Sequence, residues 1–507
     1  MVGNPPVKLY EEANHTDPVQ FRVAIPAADP PDNTTSPSLH MNRSRHYLRQ
    51  WQENPVSELL AGAVATFALI PEVIAFSFTA GVDPEVGLFA SFVISIVIAI
   101  FGGRPAMISA AAGSVALVAA PLVREHGLEY LLAAGLLAGL LQVAFGILRL
   151  SSLMRYVSSS VRTGFVNALA ILILAAQFPH IIGAGAAGYA VIAAGLVIIY
   201  LAPRLTTRIP APLICVVVLT ALCALVGVEV PTVADLGQLP QGLPVFALPE
   251  VPVDLDLLRI IFMPALAIAM VGLLESLMTA TVVDDQTGTP SDKDAEARGL
   301  GLANVAASLF GGIAGCGMIG QTVSNVKYGG RGRLSTMAAG AILLLLMVSL
   351  KGVVSQVPVG ALVAIMIMVS IDTFDWASLR RLRRAPRMSN LVMLATVAVT
   401  VVSHNLSLGV LTGILMSGVF FASKVAAMQS VTREGDTYTV EGQIFFASAD
   451  AFIDAFDPLE HDGPVRIDLS RAKIWDITAA AAVEKVRDRF ARHGLPVTVV
   501  GLGAGPA

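Results

Sequence analysis

The sequence is short of charged residues and of cysteine. Charged residues make up 14% of 507, against roughly 25% in a typical soluble domain, and this shortage excludes an ordinary water-soluble enzyme. The cysteines, Cys215, Cys223 and Cys316, lie in apolar or Gly-rich stretches without zinc-type spacing, which indicates buried thiols. No nucleophile is paired with a base in a recognisable pattern. We therefore expect no enzyme activity, no cofactor and no metal site.

An excess of positive charge is also missing. Lys and Arg total 33 against 37 for Asp and Glu, so the formal charge is −4 and no basic surface for nucleic acid is expected. Residues 315–320 fit the G-x-G-x-x-G pattern, but a dinucleotide site also needs a βαβ unit and an acidic residue about 20 positions on. We interpret these glycines instead as positions where the backbone leaves helical geometry and approaches a ligand.

Apolar residues are abundant, at 55% of the chain. From about residue 55 to 424 they form successive runs near the ~20 residues that cross a ~30 Å hydrocarbon core. The sequence therefore predicts a polytopic α-helical membrane protein with fourteen spans. We place them at roughly 57–79, 86–101, 106–121, 130–148, 165–182, 188–202, 211–229, 260–281, 299–314, 318–328, 334–351, 358–371, 388–403 and 405–424.

The distribution of basic residues predicts the orientation. Lys and Arg concentrate in alternate connections, most densely over 380–387, and cytoplasmic loops are enriched in these residues. An even number of spans then places both termini in the cytoplasm. Residues 1–50 are rich in Pro, Asp and Asn without the apolar core of a signal peptide, so they predict a disordered cytoplasmic segment.

Two of the predicted spans are poor helices, because residues 105–114 and 311–320 are rich in small residues. Paired broken spans in two halves of a transporter indicate a binding site at the membrane midplane. Glu72 and Glu275 lie 203 residues apart, as do Ser114 and Gly317. We therefore predict two repeats, at about 55–230 and 258–425. Each has seven spans, and an odd number requires inverted topology.

Glu72 and Glu275 are carboxyls predicted well inside apolar spans, away from the span ends. A charge at the bilayer centre costs on the order of 2.5–3.5 kcal/mol on the most lenient scale, so such a residue is a functional hypothesis by default. Thr279 lies one turn after Glu275 on the same helix face. The structural alternative is a neutral, hydrogen-bonded glutamic acid that holds two helices together.

Several segments resemble those of the sulfate permease (SulP) anion transporters, and the chain resembles a prokaryotic member of that family. They are Ala-Leu-Ile-Pro-Glu-Val-Ile-Ala-Phe at 68–76, Gly-Leu-Phe-Ala-Ser at 87–91, Leu-Leu-Glu-Ser-Leu at 273–277, Gly-Leu-Ala-Asn-Val-Ala at 301–306 and Ser-Asn-Val-Lys at 324–327. The resemblance implies a transmembrane domain over 51–428, with a core domain (spans 1–4 and 8–11) and a gate domain (spans 5–7 and 12–14). It also implies a substrate site between the facing ends of spans 3 and 10, a homodimer and a bacterial inner membrane.

Residues 429–507 predict a small α/β domain that resembles the STAS domain attached to sulfate permeases. Short strands are predicted at 437–440, 443–446, 465–469 and 497–501, with helices over 449–456 and 478–493. The chain stops at residue 507, before the further helix that the resemblance implies. We therefore expect this domain to be trimmed or divergent.

The two broken spans predict an anion site, because each helix N-terminus carries about half a positive charge and unpaired N–H groups. A dicarboxylate, bicarbonate or sulfate would suit it. Relatives commonly have Arg where this chain has Gln321, and Gln where it has Glu72, so the pocket is less positive here. The candidate binding residues are Glu72, Phe76, Ala112, Gly113, Ser114, Glu275, Thr279, Gly317, Met318, Ile319 and Gln321.

An ionised Glu275 would repel a bound anion, and protonation removes that conflict because burial and a nearby negative charge both favour the neutral carboxyl. We therefore predict proton-coupled anion symport, with Glu275 and Glu72 as the candidate proton carriers. A nucleobase–proton symporter of the same architecture is the first alternative, and a membrane sensor that signals through the STAS-like domain is the second. The expected partners are a small anion, protons and membrane lipids.

Overall fold

The computed structural model describes residues 47–52, 54–152, 157–206, 209–239, 242–349 and 351–501. Most of the predicted N-terminal tail, residues 1–46, lies outside the described residues, and residues 47–52 are helical. The remainder folds into a large helical domain followed by a small α/β domain.

Fourteen helices of nine residues or more follow one another in the described part of the chain between residues 55 and 426, close to the predicted spans. They are α1 Pro55–Ala80, α2 Pro84–Phe101, α3 Gly113–His126, α4 Leu128–Ile147, α5 Ser159–Ala175, α6 Gly185–Leu205, α7 Ala211–Val226, α8 Leu255–Thr287, α9 Lys293–Leu309, α10 Ile319–Lys327, α11 Arg333–Ser349, α12 Val359–Thr373, α13 Arg387–Ser403 and α14 Leu406–Ala426. Short helices Phe178–Ile182, Val233–Leu236, Lys351–Val354 and Trp376–Arg381 lie between them.

Eight helical stretches of the described residues are long and apolar enough to cross a membrane. They correspond to α1, α2, α4, α6, α8 and α14, and to α5 and α12 with their short following helices. Helices α7, α11 and α13 are apolar but shorter. A multi-span membrane domain is therefore confirmed, while the count of fourteen spans stays a prediction.

The helices pack into two groups. The first helix group contains α1–α4 and α8–α11, and the second helix group contains α5–α7 and α12–α14. Within the first group α4 and α9 pack so closely that a Cβ at Gly301 would lie only 2.5 Å from the carbonyl oxygen of Gly139. Small residues allow such close approach of membrane helices. This grouping matches the division implied by the resemblance.

Two short strands, β1 (Ser109–Ala111) and β2 (Gly315–Gly317), pair antiparallel within the first helix group. Residues 106–112 therefore do not belong to a helix, and α3 begins at Gly113, later than the predicted start of span 3. Extended backbone inside a membrane domain is tolerated only where protein satisfies its polar groups. The strand pair itself was not predicted from the sequence.

Hydroxyl and amide side chains complete the hydrogen bonding of both strands. The Ser95 hydroxyl donates to the Ser109 carbonyl (2.9 Å), and the Ala111 N–H donates to Ser91 Oγ (3.2 Å). On the other strand, Gly315 N–H donates to Asn304 Oδ1 (2.8 Å). Ser91 and Asn304 therefore have structural roles in two of the segments that carried the resemblance.

The C-terminal domain is a four-stranded sheet in the order β3 (Ser430–Glu434), β4 (Thr437–Ile444), β5 (Val465–Ile474) and β6 (Val497–Val500). β3 and β4 are antiparallel, whereas β4–β5 and β5–β6 are parallel. The helices are α15 (Ala449–Asp454) and α16 (Ile477–Arg492). The strands predicted at 437–440 and 443–446 form the single strand β4, whose register shifts between Thr439 and Glu441. β3 was missed, because its side chains are mostly exposed and leave no apolar alternation.

Candidate functional site

A cavity of about 460 Å³ lies between the two helix groups, and we call it the central cavity. The first helix group contributes the residues that line it from α1, α3, α8 and α10, and the second contributes those from α5 and α12. They are Ala68, Glu72, Phe76, Gly113, Ser114, Phe165, Val166, Leu169, Ile173, Glu275, Met278, Met318, Ile319, Gly320, Gln321, Ser324, Met368, Val369, Asp372 and Thr373.

Both α3 and α10 begin at the central cavity. β1 leads through Ala112 into α3, and β2 leads through Met318 into α10. Both of these N-cap residues are extended, and neither makes a side-chain cap hydrogen bond. The first N–H groups of a helix have no partner within it and carry partial positive charge. The cavity is therefore bordered by two helix ends that suit an anion.

Glu275 reaches the cavity from the middle of α8 and is held by the two broken segments. The Ser114 hydroxyl at the start of α3 donates to Glu275 Oε2, and Cys316 Sγ of β2 lies 3.1 Å from the same oxygen. One carboxyl oxygen thus receives donors from both halves of the chain. From the sequence, Cys316 was predicted only to be a buried thiol, because its contact with Glu275 depends on the pairing of β1 with β2.

Glu72 lies on the α1 side of the cavity, directly after Pro71 in the middle of that helix. It is 8% exposed, and it lines the cavity together with Gln321 of α10. Phe76, one turn further, packs against the start of α3, where a Cβ at Gly113 would lie 2.7 Å from the Phe76 ring. Glycine at this position therefore allows α3 to begin against α1.

Eight of the eleven predicted site residues line the central cavity: Glu72, Phe76, Gly113, Ser114, Glu275, Met318, Ile319 and Gln321. Ala112 and Gly317 are buried and are not among the residues that line the cavity; Ala112 follows β1, and Gly317 is the last residue of β2. Thr279 is also fully buried, and its hydroxyl donates to the carbonyl oxygens of Glu275 (2.8 Å) and Gly317 (3.2 Å). These three residues shape the site without facing the cavity.

The wall that the second helix group contributes was not predicted from the sequence. Phe165 and Leu169 come from α5, and Met368, Asp372 and Thr373 come from the end of α12. The predicted span 358–371 stopped one residue before Asp372, whereas α12 continues to Thr373. The sequence feature that could have indicated this wall is Asp372, an acidic residue at the end of an apolar run.

The side chains around the cavity are acidic rather than basic. Glu72, Glu275 and Asp372 line it, and no Lys, Arg or His is among the described residues that do so. In the described part of the chain, no group of three or more His, Cys, Asp or Glu residues is placed to hold a metal ion. Positive potential at the cavity therefore comes from the backbone at the ends of α3 and α10.

Comparison with known proteins agrees with this architecture. The profile of the sulfate permease family matches residues 56–193 and 187–396, and that of the STAS domain matches residues 427–507. The chain is 49% identical over 466 residues to "Putative sulfate transporter YbaR" of Bacillus subtilis (strain 168), covering 91% of this chain and 98% of that protein. It is 24% identical to "Bicarbonate transporter BicA" of Synechocystis sp., covering 88% of each.

Two solved structures are similar. The transmembrane domain of a cyanobacterium bicarbonate transporter BicA aligns with a TM-score of 0.64 and 25% identity, covering 71% of this chain and 98% of that one. The murine Slc26a9 anion transporter in the inward-facing state aligns with a TM-score of 0.78, covering 94% and 91%, and at 18% identity it is evidence of fold alone.

These relatives are transporters rather than enzymes, and their names refer to sulfate and bicarbonate, which does not favour the nucleobase alternative. The matches extend over the helical domain and the C-terminal sheet domain. The chain belongs to the sulfate permease family.

Proposed function

We propose that this protein is a secondary active transporter that carries a small anion together with a proton. One observation carries the proposal: two helix N-termini without side-chain caps and the Glu275 carboxyl meet at one cavity between the two helix groups. The names of the relatives support an anion as substrate. The protein acts in a bacterial inner membrane, with both termini in the cytoplasm.

The anion binds at the N-terminal ends of α3 and α10. Gly113 and Ser114 on one side and Met318 and Ile319 on the other bring backbone N–H groups to the cavity, and such donors suit carboxylate, bicarbonate or sulfate oxygens. Phe76 closes one side of the seat by packing against Gly113. The site needs no basic side chain, because the helix ends supply the positive potential.

A proton binds with the anion because the same site contains carboxyls. Glu275 lies beside the start of α3 through its contact with Ser114, and an ionised carboxylate there would repel the bound anion. Protonation removes that repulsion, so anion and proton each increase the affinity for the other. Glu72 is the second candidate carrier, since it is buried beside Gln321 at the start of α10.

Transport proceeds by movement of the first helix group, the core, against the second, the gate. The anion seat and both glutamates belong to the core, whereas α5 and α12 of the gate form the opposite wall of the cavity. Relative displacement of the two groups exposes the site to one side of the membrane and then to the other. We expect the protein to act as a homodimer with its gate domain fixed by the membrane.

Uptake by protein-only vesicles, with and without an imposed pH gradient, tests this proposal. We expect at least one anion among bicarbonate, sulfate and dicarboxylates to accumulate faster when the outside is acidic. An uptake rate that is independent of the pH gradient would contradict proton symport and indicate uniport or exchange. Uptake of radiolabelled uracil instead of any anion would favour the nucleobase alternative, and no flux of any solute would favour the sensor.

The thiol of Cys316 gives a narrower test of the carboxyl chemistry. Cys316→Ala removes one donor to Glu275 Oε2, and hydrogen bonds donated to a carboxylate favour its charged form. The pH at half-maximal uptake should therefore move upward, by on the order of half a pH unit for one weak donor. Cys316→Ser keeps a donor and should keep the wild-type profile, while identical profiles for all three proteins would contradict this role of Cys316.

A further inference from the structure

The charges around the central cavity come from both helix groups. Glu72 and Glu275 belong to the core, and Asp372 faces them from α12 of the gate. Asp372 is exposed, and it has no hydrogen-bond or ion-pair partner among the described residues. Contact with solvent favours the charged form of a carboxyl. The gate therefore presents a fixed negative charge to whatever binds at the core.

The positive potential in the cavity is limited to the two helix ends. Each contributes about half a positive charge, so together they balance about one negative charge on the bound anion. No described lining residue is basic, and protonation of Glu72 and Glu275 removes repulsion without adding a positive charge. The second charge of a dianion is therefore left uncompensated at this site.

Asp372 increases the difference in binding free energy between singly and doubly charged anions. Coulomb repulsion is proportional to the charge of the ligand, so Asp372 repels a dianion twice as strongly as a monoanion at the same distance. Cavity size does not make this distinction, because about 460 Å³ admits anions of either kind. Charge is then the property by which the cavity discriminates among small oxyanions.

We propose that this protein carries singly charged anions, of the bicarbonate type, in preference to dianions such as sulfate, and that Asp372 is a specificity-determining residue. This inference rests on the proposed transport function and names its substrate class. It also assigns to the gate a role in selection, besides its part in closing the site.

The test compares probes of both charges in vesicles containing the full-length protein at one fixed pH gradient. The monovalent probes are bicarbonate, nitrate and chloride, and the divalent probes are sulfate and fumarate. We expect the wild type to transport the best monovalent probe about tenfold or more faster than either divalent probe. The expected ratio corresponds to one uncompensated charge at the site.

Asp372→Asn should raise sulfate uptake relative to the best monovalent probe by about fivefold or more, because it removes the gate charge and leaves the shape unchanged. Asp256→Asn is the matched control, since the Asp256 side chain is 76% exposed at the start of α8, outside the cavity. The control should leave the ratio unchanged. Elution of Asp372→Asn at the wild-type position in size-exclusion chromatography, with a wild-type thermal midpoint in detergent, will show that this variant is folded.

Each contrary result has a separate meaning. Wild-type protein that transports sulfate as fast as the best monovalent probe overturns the charge selection and leaves anion transport standing. An unchanged ratio in Asp372→Asn overturns the role of Asp372. Vesicles that transport no anion of either charge overturn the proposed function and this inference with it.

Discussion

Replacing Glu275 by Gln should abolish the stimulation of uptake by external acid while keeping the binding of the anion. Gln retains an oxygen that accepts from Ser114 and Cys316, and it resembles the protonated carboxyl. In the wild type, an obligatory proton makes the rate rise by up to about tenfold per pH unit while protons are limiting. The variant should show a flat profile from pH 5.5 to 7.5.

The control for Glu275→Gln is a second Glu→Gln substitution in the same helix group. Glu125 lies exposed near the end of α3, outside the cavity, so Glu125→Gln should keep the wild-type pH profile. Anion affinity, measured by calorimetry at low pH, should be similar for all three proteins. A steep pH dependence in Glu275→Gln would remove Glu275 as the carrier and leave Glu72 as the remaining candidate.

Replacing Gly315 by Ala should destabilise the protein more than any other single methyl addition in the site. A Cβ at this position would lie 2.0 Å from the carbonyl oxygen of Ala110, on the strand that pairs with β2. Neither backbone can yield without breaking the hydrogen bonds that satisfy the strands inside the membrane domain. We expect a loss on the order of 3 kcal/mol or more, seen as a lower thermal midpoint in detergent.

Gly320→Ala is the control for this effect. Gly320 lies three residues beyond β2 in α10, and an added Cβ there would meet no atom within 4 Å. Because Ala is favoured over Gly inside a helix by roughly 0.5–1 kcal/mol, the thermal midpoint of this variant should be unchanged or higher. Equal midpoints for the two variants would show that the strand pair contributes little to stability.

Much of the architecture could be predicted, because its signals are local. Apolar runs near the length of a membrane span, separated by Gly, Pro and basic residues, placed ten of the helices to within about three residues. The bounds of α3, α5, α8 and α9 differ from the predicted ones by about five to seven residues. Small residues at 105–114 and 311–320 marked the two interruptions, and eight predicted residues do line one cavity. The family assignment was confirmed by the matching profiles.

The parts that could not be predicted depend on contacts between distant residues. The register that places Ala110 opposite Cys316 joins segments about 200 residues apart, and no local periodicity reports such a pairing. The hydrogen bond from the Thr279 hydroxyl to the Gly317 carbonyl likewise joins α8 to β2 across 38 residues. The position of Asp372 depends on how the gate helices pack across from the core.

The sequence by itself determined that this chain is a membrane protein with two interrupted spans and two embedded glutamates, because hydrophobic length, glycine content and the cost of a buried charge are properties of the residues themselves. Only the tertiary structure decided which side chains share the cavity and what charge surrounds it. Packing between helices far apart in the chain brought Cys316 to Glu275 and Asp372 to the opposite wall. That packing is set by the shapes of whole helix faces.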